Sequence, residues 1–363
     1  MREYFETIVR QGVSCRASDI HLSSGNPPAY RIDGAVEPVF GEPVLTHEVV
    51  EQIMAECMPK DKYEEYRQTG DADCALQIEG CGRFRVNLFR QIRGACIVMR
   101  IVNEVVPTMA DLGLPSSLQR ILELKEGLVL VTGPTGSGKS TTLAAIIHEL
   151  NKSRSSHIIT IEDPIEYVHQ PIRLPSATRR EVGNDSVSYE RPCALPCGRI
   201  RTSSWLGEMR DLESMRAAIT AAETGHLVFS TLHTIGAANT IDRLLDVFPP
   251  EQQQQVRMQL STALKAVISQ RLLPRAGGKG RVGAFEIMFV NSAISNLIRE
   301  NKVANINQMI ETGRNDGMIT LDKYIAELLQ AGSIAFETAQ EYSPVPLKAQ
   351  TQPGSAVSRR YDF

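Results

Sequence analysis

No stretch of this 363-residue chain approaches the roughly 18 consecutive apolar residues of a membrane-crossing helix, so no membrane span is expected. Residues Met1 to Gly12 include Glu3, Glu6 and Arg10 and no apolar block, so no signal peptide is expected. There is no basic surplus: 39 Lys and Arg against 42 Asp and Glu give a net charge of −3, which argues against a dedicated nucleic-acid binder. The seven cysteines, Cys15, Cys57, Cys74, Cys81, Cys96, Cys193 and Cys197, are odd in number and contain no CxxC pair. Neither a disulfide framework nor a zinc site is favoured, and a reduced cytoplasmic compartment fits. No internal repeat is present, and the length suggests two domains with ample core.

The most informative segment is Leu128-Val129-Leu130-Val131-Thr132, an apolar strand that runs into Gly133-Pro134-Thr135-Gly136-Ser137-Gly138-Lys139-Ser140. This is GxxxxGK[ST] between a strand and a helix. Its glycines let backbone N–H groups close around phosphate oxygens; Lys139 reaches the β- and γ-phosphates and the Ser140 hydroxyl ligates Mg²⁺. The helix behind the loop points its positive end at the same anion. Leu143, Ile146, Ile147 and Leu150 follow i, i+3, i+4, i+7 and predict one buried face. The alternative, a glycine-rich turn that binds nothing, does not explain strand, loop, Lys-Ser and helix in this order. ATP and Mg²⁺ are the expected ligands, with Gly133, Pro134, Thr135, Gly136, Ser137, Gly138, Lys139, Ser140 and Thr141 as contacts.

Residues 1–105 read as a first unit. Ile20, Leu22, Tyr30 and Ile32 sit in short strands around the turn Asn26-Pro27-Pro28, and Val49, Val50, Ile53 and Met54 form a helical face after the cap Thr46. Phe84, Val86 and Leu88 alternate with Arg83, Arg85 and Asn87, a strand with a cationic face, and Ile97 to Val102 reads as its partner. Pro107, Gly113 and Pro115 mark a linker over 106–118. Strands then alternate with helices over 119–342, as a parallel sheet requires. Residues 343–363, rich in Pro, Gln and Ser, read as a disordered tail.

Ligands of such sheets bind at the carboxyl ends of the strands. The strand His157 to Ile161 ends in Glu162-Asp163-Pro164-Ile165-Glu166, which places carboxylates beside a triphosphate, where one can orient or deprotonate an attacking water. Glu166 is the expected base; the other reading is a solvated acidic turn. Glu208, in Gly207-Glu-Met-Arg-Asp211, could hold the Mg²⁺ hydration shell. His226 and His233 bracket the strand Leu227 to Leu232 and are candidates for sensing the γ-phosphate, although a lone histidine at a strand edge is usually structural.

These motifs together resemble the secretion-superfamily ATPases. Thr160-Ile-Glu-Asp-Pro-Ile-Glu-Tyr167 is similar to their Asp box and Gly207-Glu-Met-Arg-Asp211 to the end of their Walker B. Thr220-Ala-Ala-Glu-Thr-Gly-His-Leu-Val-Phe229 with Thr231-Leu-His233 resembles their His box. Ala17-Ser-Asp-Ile-His-Leu22 and Arg31-Ile-Asp-Gly34 resemble their N-terminal domain. Ala293-Ile-Ser-Asn-Leu-Ile-Arg-Glu300 is close to AIRNLIRE, a motif of the PilT-type pilus retraction motors, and departs from it at Ser295. The resemblance spans roughly residues 5–342. It implies an α/β fold, a RecA-like P-loop ATPase core with an N-terminal PAS-like α+β domain. It also implies a homohexameric ring whose subunits retract a type IV pilus and drive twitching motility. The ring would be cytoplasmic and peripheral at the inner membrane, with a PilC-like platform protein as partner. Arginines of the N-terminal strands would reach the nucleotide, with Arg85, Arg90 and Arg100 as candidates; the other reading of these is an exposed cationic strand face.

One segment departs from the family. Before Glu208 a helix and an apolar strand are due. The chain instead has Pro192 and Pro196 where the helix belongs, and only Ile200 before Trp205-Leu206 where the strand belongs. Codons permitted by Pro192 to Trp205, read from their third base, give Leu-Arg-Ala-Ala-Leu-Arg-Glu-Asp-Pro-Asp-Val-Ile-Leu, the family's own sequence. A local frameshift over 185–206, opened near Arg191 and closed near Leu206, accounts for the departure and makes the Cys193/Cys197 pair an accident of it. Two alternatives stay open: a pilus-extension or type II secretion ATPase, and a nucleotide-binding ring subunit that does not hydrolyse ATP because its Walker B strand is disrupted. The former usually carry a tetracysteine zinc motif, which this chain lacks.

Overall fold

The computed structural model describes residues 1–32, 35–102, 106–154, 157–162, 167, 177–181, 202–206, 208–209, 211–278 and 280–343, with 157, 162, 177–181 and 202–206 described by their backbone alone. Glu166, residues 185–201 and residues 344–363 lie outside the described residues. The chain forms two compact units, one over Met1–Val106 and the other built mainly from Pro107 onward.

The first unit is α+β. In chain order it has α1 (Arg2–Ser14), β1 (Asp19–Ser23), β2 (Ala29–Ile32), β3 (Ala35–Pro38), α2 (His47–Cys57), α3 (Lys60–Thr69), β4 (Asp71–Ile78), β5 (Gly82–Gln91) and β6 (Gly94–Val102). The strands form one six-stranded antiparallel sheet in the order β3-β2-β1-β6-β5-β4. Alternation decides which face is covered: Phe84, Val86 and Leu88 are fully buried, while Arg85 and Asn87 point the other way. α2 starts where Thr46 accepts a hydrogen bond from the Val49 N–H and buries Val50, Ile53 and Met54 against the same core.

The second unit is α/β. It contains β7 (Gly127–Thr132), α4 (Lys139–Ser153), β8 (His157–Glu162), β9 (Ala177–Glu181), β10 (Thr202–Leu206), α5 (Leu212–Glu223), β11 (Leu227–Leu232), α6 (Ala237–Asp246), α7 (Pro250–Ala263), β12 (Leu264–Pro274), β13 (Arg281–Phe289), α8 (Ser292–Arg299), α9 (Ile306–Thr312), α10 (Leu321–Gln330) and α11 (Phe336–Tyr342). The seven strands lie in the order β13-β12-β7-β11-β10-β8-β9, all parallel except β13, which pairs antiparallel with β12. Every residue of β7 and β11 is buried, as expected of parallel strands covered on both faces. The predicted face of α4, Leu143, Ile146, Ile147 and Leu150, is buried in the same core. Asp211 and Ser214 cap α5 reciprocally, the Asp211 carboxylate accepting from the Ser214 N–H at 2.7 Å.

The expectation of a disrupted strand before Glu208 is corrected here. Thr202–Leu206 forms β10, with Ser203 to Leu206 paired to β11 on one side and Thr202 to Leu206 paired to β8 on the other. A strand between two neighbours has both edges of its backbone satisfied, and that tertiary context outweighs a poor local preference.

Candidate functional site

Register brings the site together. Leu232 of β11 pairs with Thr132 of β7, and Thr132 pairs with Ser269 of β12. The next residue on each strand is therefore His233, Gly133 and Gln270, side by side at the carboxyl end of the sheet. Glu208 follows two residues after β10, and the Met209 N–H next to it donates to the Thr231 carbonyl at 3.2 Å.

The loop between β7 and α4 turns on Gly133, at φ +145°, and on Gly138, at φ +84°, both in the region that favours glycine. Gly133 has a second reason to be glycine: a Cβ there would lie 2.2 Å from the Gln270 carbonyl oxygen. Pro134, Thr135 and Gly136 are exposed at the crest, and Ser137 is buried beneath it. Lys139 is only 8% exposed, and its ammonium donates to the carbonyls of Gly133 at 2.9 Å and Pro134 at 3.1 Å. The charge is thus fixed inside the curve of the loop. No side chain caps the first turn of α4, whose N–H groups face the loop from Lys139 and Ser140 onward. The Ser137 hydroxyl is buried without a hydrogen-bond partner among the described residues, an orphaned donor that suits a phosphate-binding cradle.

His233 links the loop to the acidic strand end. Its Nε2 lies 2.8 Å from Glu208 Oε1, and its Nδ1 lies 3.5 Å from the Thr135 hydroxyl. Glu208 is the more sheltered of the pair, 21% exposed at its side chain against 47% for His233. Glu208 and Ser140 are hard oxygen donors of the kind Mg²⁺ takes.

The structure thus unites Gly133 to Thr141, His233 and Glu208. His226 is not among them, which corrects the expectation of two histidines beside one loop. It precedes β11, where its carbonyl accepts from the Gly127 N–H at 2.9 Å and its Nδ1 faces the Ala221 carbonyl at 3.2 Å. Six strand residues lie between the two histidines, seven steps of about 3.3 Å or roughly 23 Å, so residues that bracket a strand necessarily sit at opposite ends of it. Glu166 lies outside the described residues.

The three arginines belong to the first unit. Arg85 of β5 and Arg100 of β6 are cross-strand neighbours. Arg100 donates to Asp19 Oδ1 at 2.9 Å, and Arg31 lies 3.2 Å from Asp19 Oδ2. Arg85 lies 3.9 Å from Asp73, and Arg90 stands over the Tyr66 ring, 5.6 Å from its centroid. Burial alone would raise the Asp19 carboxyl, but the Ser18 hydroxyl and the Arg100 and Arg31 guanidinia hold it below the usual range. Arg85 and Arg100 keep 44% and 67% of their side-chain surface exposed.

Sequence reasoning passed over Gln270, Ser269 and Asp19. The signal for the first two was the polar stretch Ser269-Gln270-Arg271 set between Ala266-Val267-Ile268 and Leu272-Leu273; Ser269 and Gln270 are 3–4% exposed.

Comparison with known proteins fits this geometry. A family model described as Type II/IV secretion system protein matches residues 1–340. The chain is 46% identical to the type IV pilus retraction ATPase PilT of Pseudomonas aeruginosa, over 91% of this chain and 95% of that one. It is 42% identical to a twitching motility protein of Neisseria gonorrhoeae, over 90% and 88% of the two chains. A crystal structure of the pilus retraction motor PilT with bound ADP superposes with a TM-score of 0.86 at 42% identity, covering 93% of this chain and 96% of that one.

Proposed function

We propose, for a chain that belongs to the Type II/IV secretion system protein family, that it is an ATPase motor subunit that couples ATP hydrolysis to type IV pilus retraction and twitching motility. The observation that carries this reading is the row of Gly133, His233 and Glu208 at the carboxyl end of the sheet, beside a buried Lys139. Loop N–H groups and the α4 terminus bind the phosphates. Lys139 places its charge where negative charge builds on the transferred phosphoryl group. His233, oriented by Glu208, senses that end of the nucleotide. Glu166 is assigned as the base that orients or deprotonates the attacking water. Ser140 and Glu208 would hold Mg²⁺, which neutralises charge on the β- and γ-phosphates when bound.

The motor is assigned as a homohexamer in which Arg85, Arg90 and Arg100 of the N-terminal unit reach a nucleotide in the ring. It is placed in the cytoplasm, peripheral at the inner membrane, with a PilC-like platform protein as partner. Among the described residues no helix is long and apolar enough to cross a membrane. Continuous pairing of β10 on both edges favours the hydrolytic reading over a ring subunit that only binds nucleotide.

The test uses protein made from this exact sequence. It should release phosphate from ATP and form a hexamer by light scattering with an ATP analogue present. A monomer without turnover at saturating ATP would overturn the reading.

A further inference from the structure

β12 carries two adjacent buried polar residues whose side chains leave the strand on opposite faces, as successive strand residues must. On the α4 face, Gln270 Nε2 donates to the Ser137 carbonyl at 2.6 Å, and its Oε1 accepts from the Thr142 hydroxyl at 2.7 Å. On the other face, Ser269 Oγ accepts from the Gly236 N–H at 2.9 Å. Glu286, paired with Ser269 across the β12–β13 ladder, accepts from the Ala237 N–H at 2.7 Å. Gly236 lies three residues after His233. One strand therefore grips the phosphate loop with one residue and the His233 segment with the next.

The residue types suit the task. In this arrangement the Ser137 carbonyl takes a hydrogen bond and the Thr142 hydroxyl gives one, so the group between them donates once and accepts once from a single planar head. An amide does this; a carboxylate lacks the donor and a thioether supplies neither at full strength. Removing the amide leaves a buried carbonyl without its donor inside the loop, and such losses are more damaging than the bond itself is stabilising.

We propose that Ser269 and Gln270 are paired positioning residues that set the phosphate loop and the His233–Glu208 pair in register, so that both address the same phosphate end of ATP. The inference rests on the ATPase reading above. It predicts different kinetic signatures for the two residues. Gln270 shapes the loop that binds phosphate, so its loss weakens binding. Ser269 places His233, so its loss slows turnover after binding.

The experiment compares Gln270→Met, Ser269→Ala and the double variant, measuring kcat and KM for ATP, affinity for a fluorescent ADP analogue, and thermal melting. Gln270→Met should raise KM and weaken ADP binding about tenfold, whereas Ser269→Ala should lower kcat about tenfold with ADP binding within about twofold of wild type, and Ser269→Thr should restore kcat. The double variant should lose less kcat/KM than the product of the single losses, because the two residues act through one strand. Multiplicative losses, or a wild-type KM for Gln270→Met, would overturn the proposal. Should Gln270→Met fail to fold, Thr142→Val removes the donor on the other side of the amide; a wild-type KM there overturns it equally. A wild-type protein that neither binds ADP nor hydrolyses ATP refutes the ATPase reading itself, whereas active wild type with unaffected variants refutes this inference alone.

Discussion

His233 stands between Glu208 and Thr135, its two ring nitrogens 2.8 Å and 3.5 Å from their oxygens. A histidine gripped on one nitrogen by a carboxylate has its other nitrogen oriented. His233→Ala and Glu208→Gln should each lower kcat about 100-fold, as loss of a positioned proton-handling or polar group does, while affinity for an ADP analogue changes far less. Steady-state phosphate release and fluorescence titration separate the two effects.

Lys139→Ala should abolish turnover. The ammonium lies inside the loop and is the charge partner of the transferred group, so kcat/KM should fall by about 1,000-fold or more. Purified variant that hydrolyses ATP at the wild-type rate would move the active site elsewhere.

Gly133 and Gly136 both have positive φ but differ in surroundings. A Cβ at Gly136 meets nothing within 4 Å, whereas at Gly133 it meets the Gln270 backbone at 2.2 Å. Gly136→Ala should cost about 1–2 kcal/mol of stability from conformation alone. Gly133→Ala should cost more, about 3 kcal/mol or above, because backbone must shift as well. Urea denaturation of the two variants side by side gives the difference.

Asp19 makes the first unit acid-sensitive. Its carboxyl titrates below the ordinary value of 3.8 in the folded protein, so the stabilisation it brings is complete at neutral pH, above the unfolded value. That stabilisation is lost as pH falls through 3.8 towards the lower folded value. Melting temperature measured from pH 6 down to about pH 3 should drop faster for wild type than for Asp19→Asn, which is less stable at neutral pH and has no such carboxyl to protonate. Parallel curves would disprove the role.

α8 separates packing from signalling. Ile294 and Ile298 are fully buried, while Asn296, Arg299 and Glu300 are exposed. The Ser295 hydroxyl donates to the Ser261 carbonyl on α7, so the departure from the family motif at this position is absorbed by a bond between two helices. Arg299→Glu and Glu300→Lys should leave basal ATPase activity within about twofold, surface charges contributing little to the fold. In cells they should stop pilus retraction. Persistent twitching motility would count against a retraction role for this face.

The parallel sheet, the loop and the α4 face were legible because each rests on local pattern: an apolar run, glycine spacing, a 3.6 period. That Glu208 and His233 come together beside the loop was legible because strand ends gather there. Gln270 was not, because its role depends on β12 lying next to β7, a pairing between strands more than 100 residues apart that no local pattern states. His226 misled for a related reason: adjacency to a strand in sequence does not say which end of the sheet a residue occupies. At Thr202–Leu206 local preference pointed away from a strand, and the two flanking strands decided otherwise.

The row of Gln270, Gly133 and His233 has a consequence for synthesis. Thr135 meets His233 across 98 positions of sequence, and Ser137 meets Gln270 across 133. A chain still emerging from the ribosome therefore has its glycine loop long before it has the walls of the cradle. Competence to take up nucleotide should arise late, only after residue 270 has joined the sheet, so that nucleotide stabilises finished subunits and leaves truncated or misfolded ones unprotected. Resistance to limited proteolysis conferred by an ATP analogue would then report completion of folding.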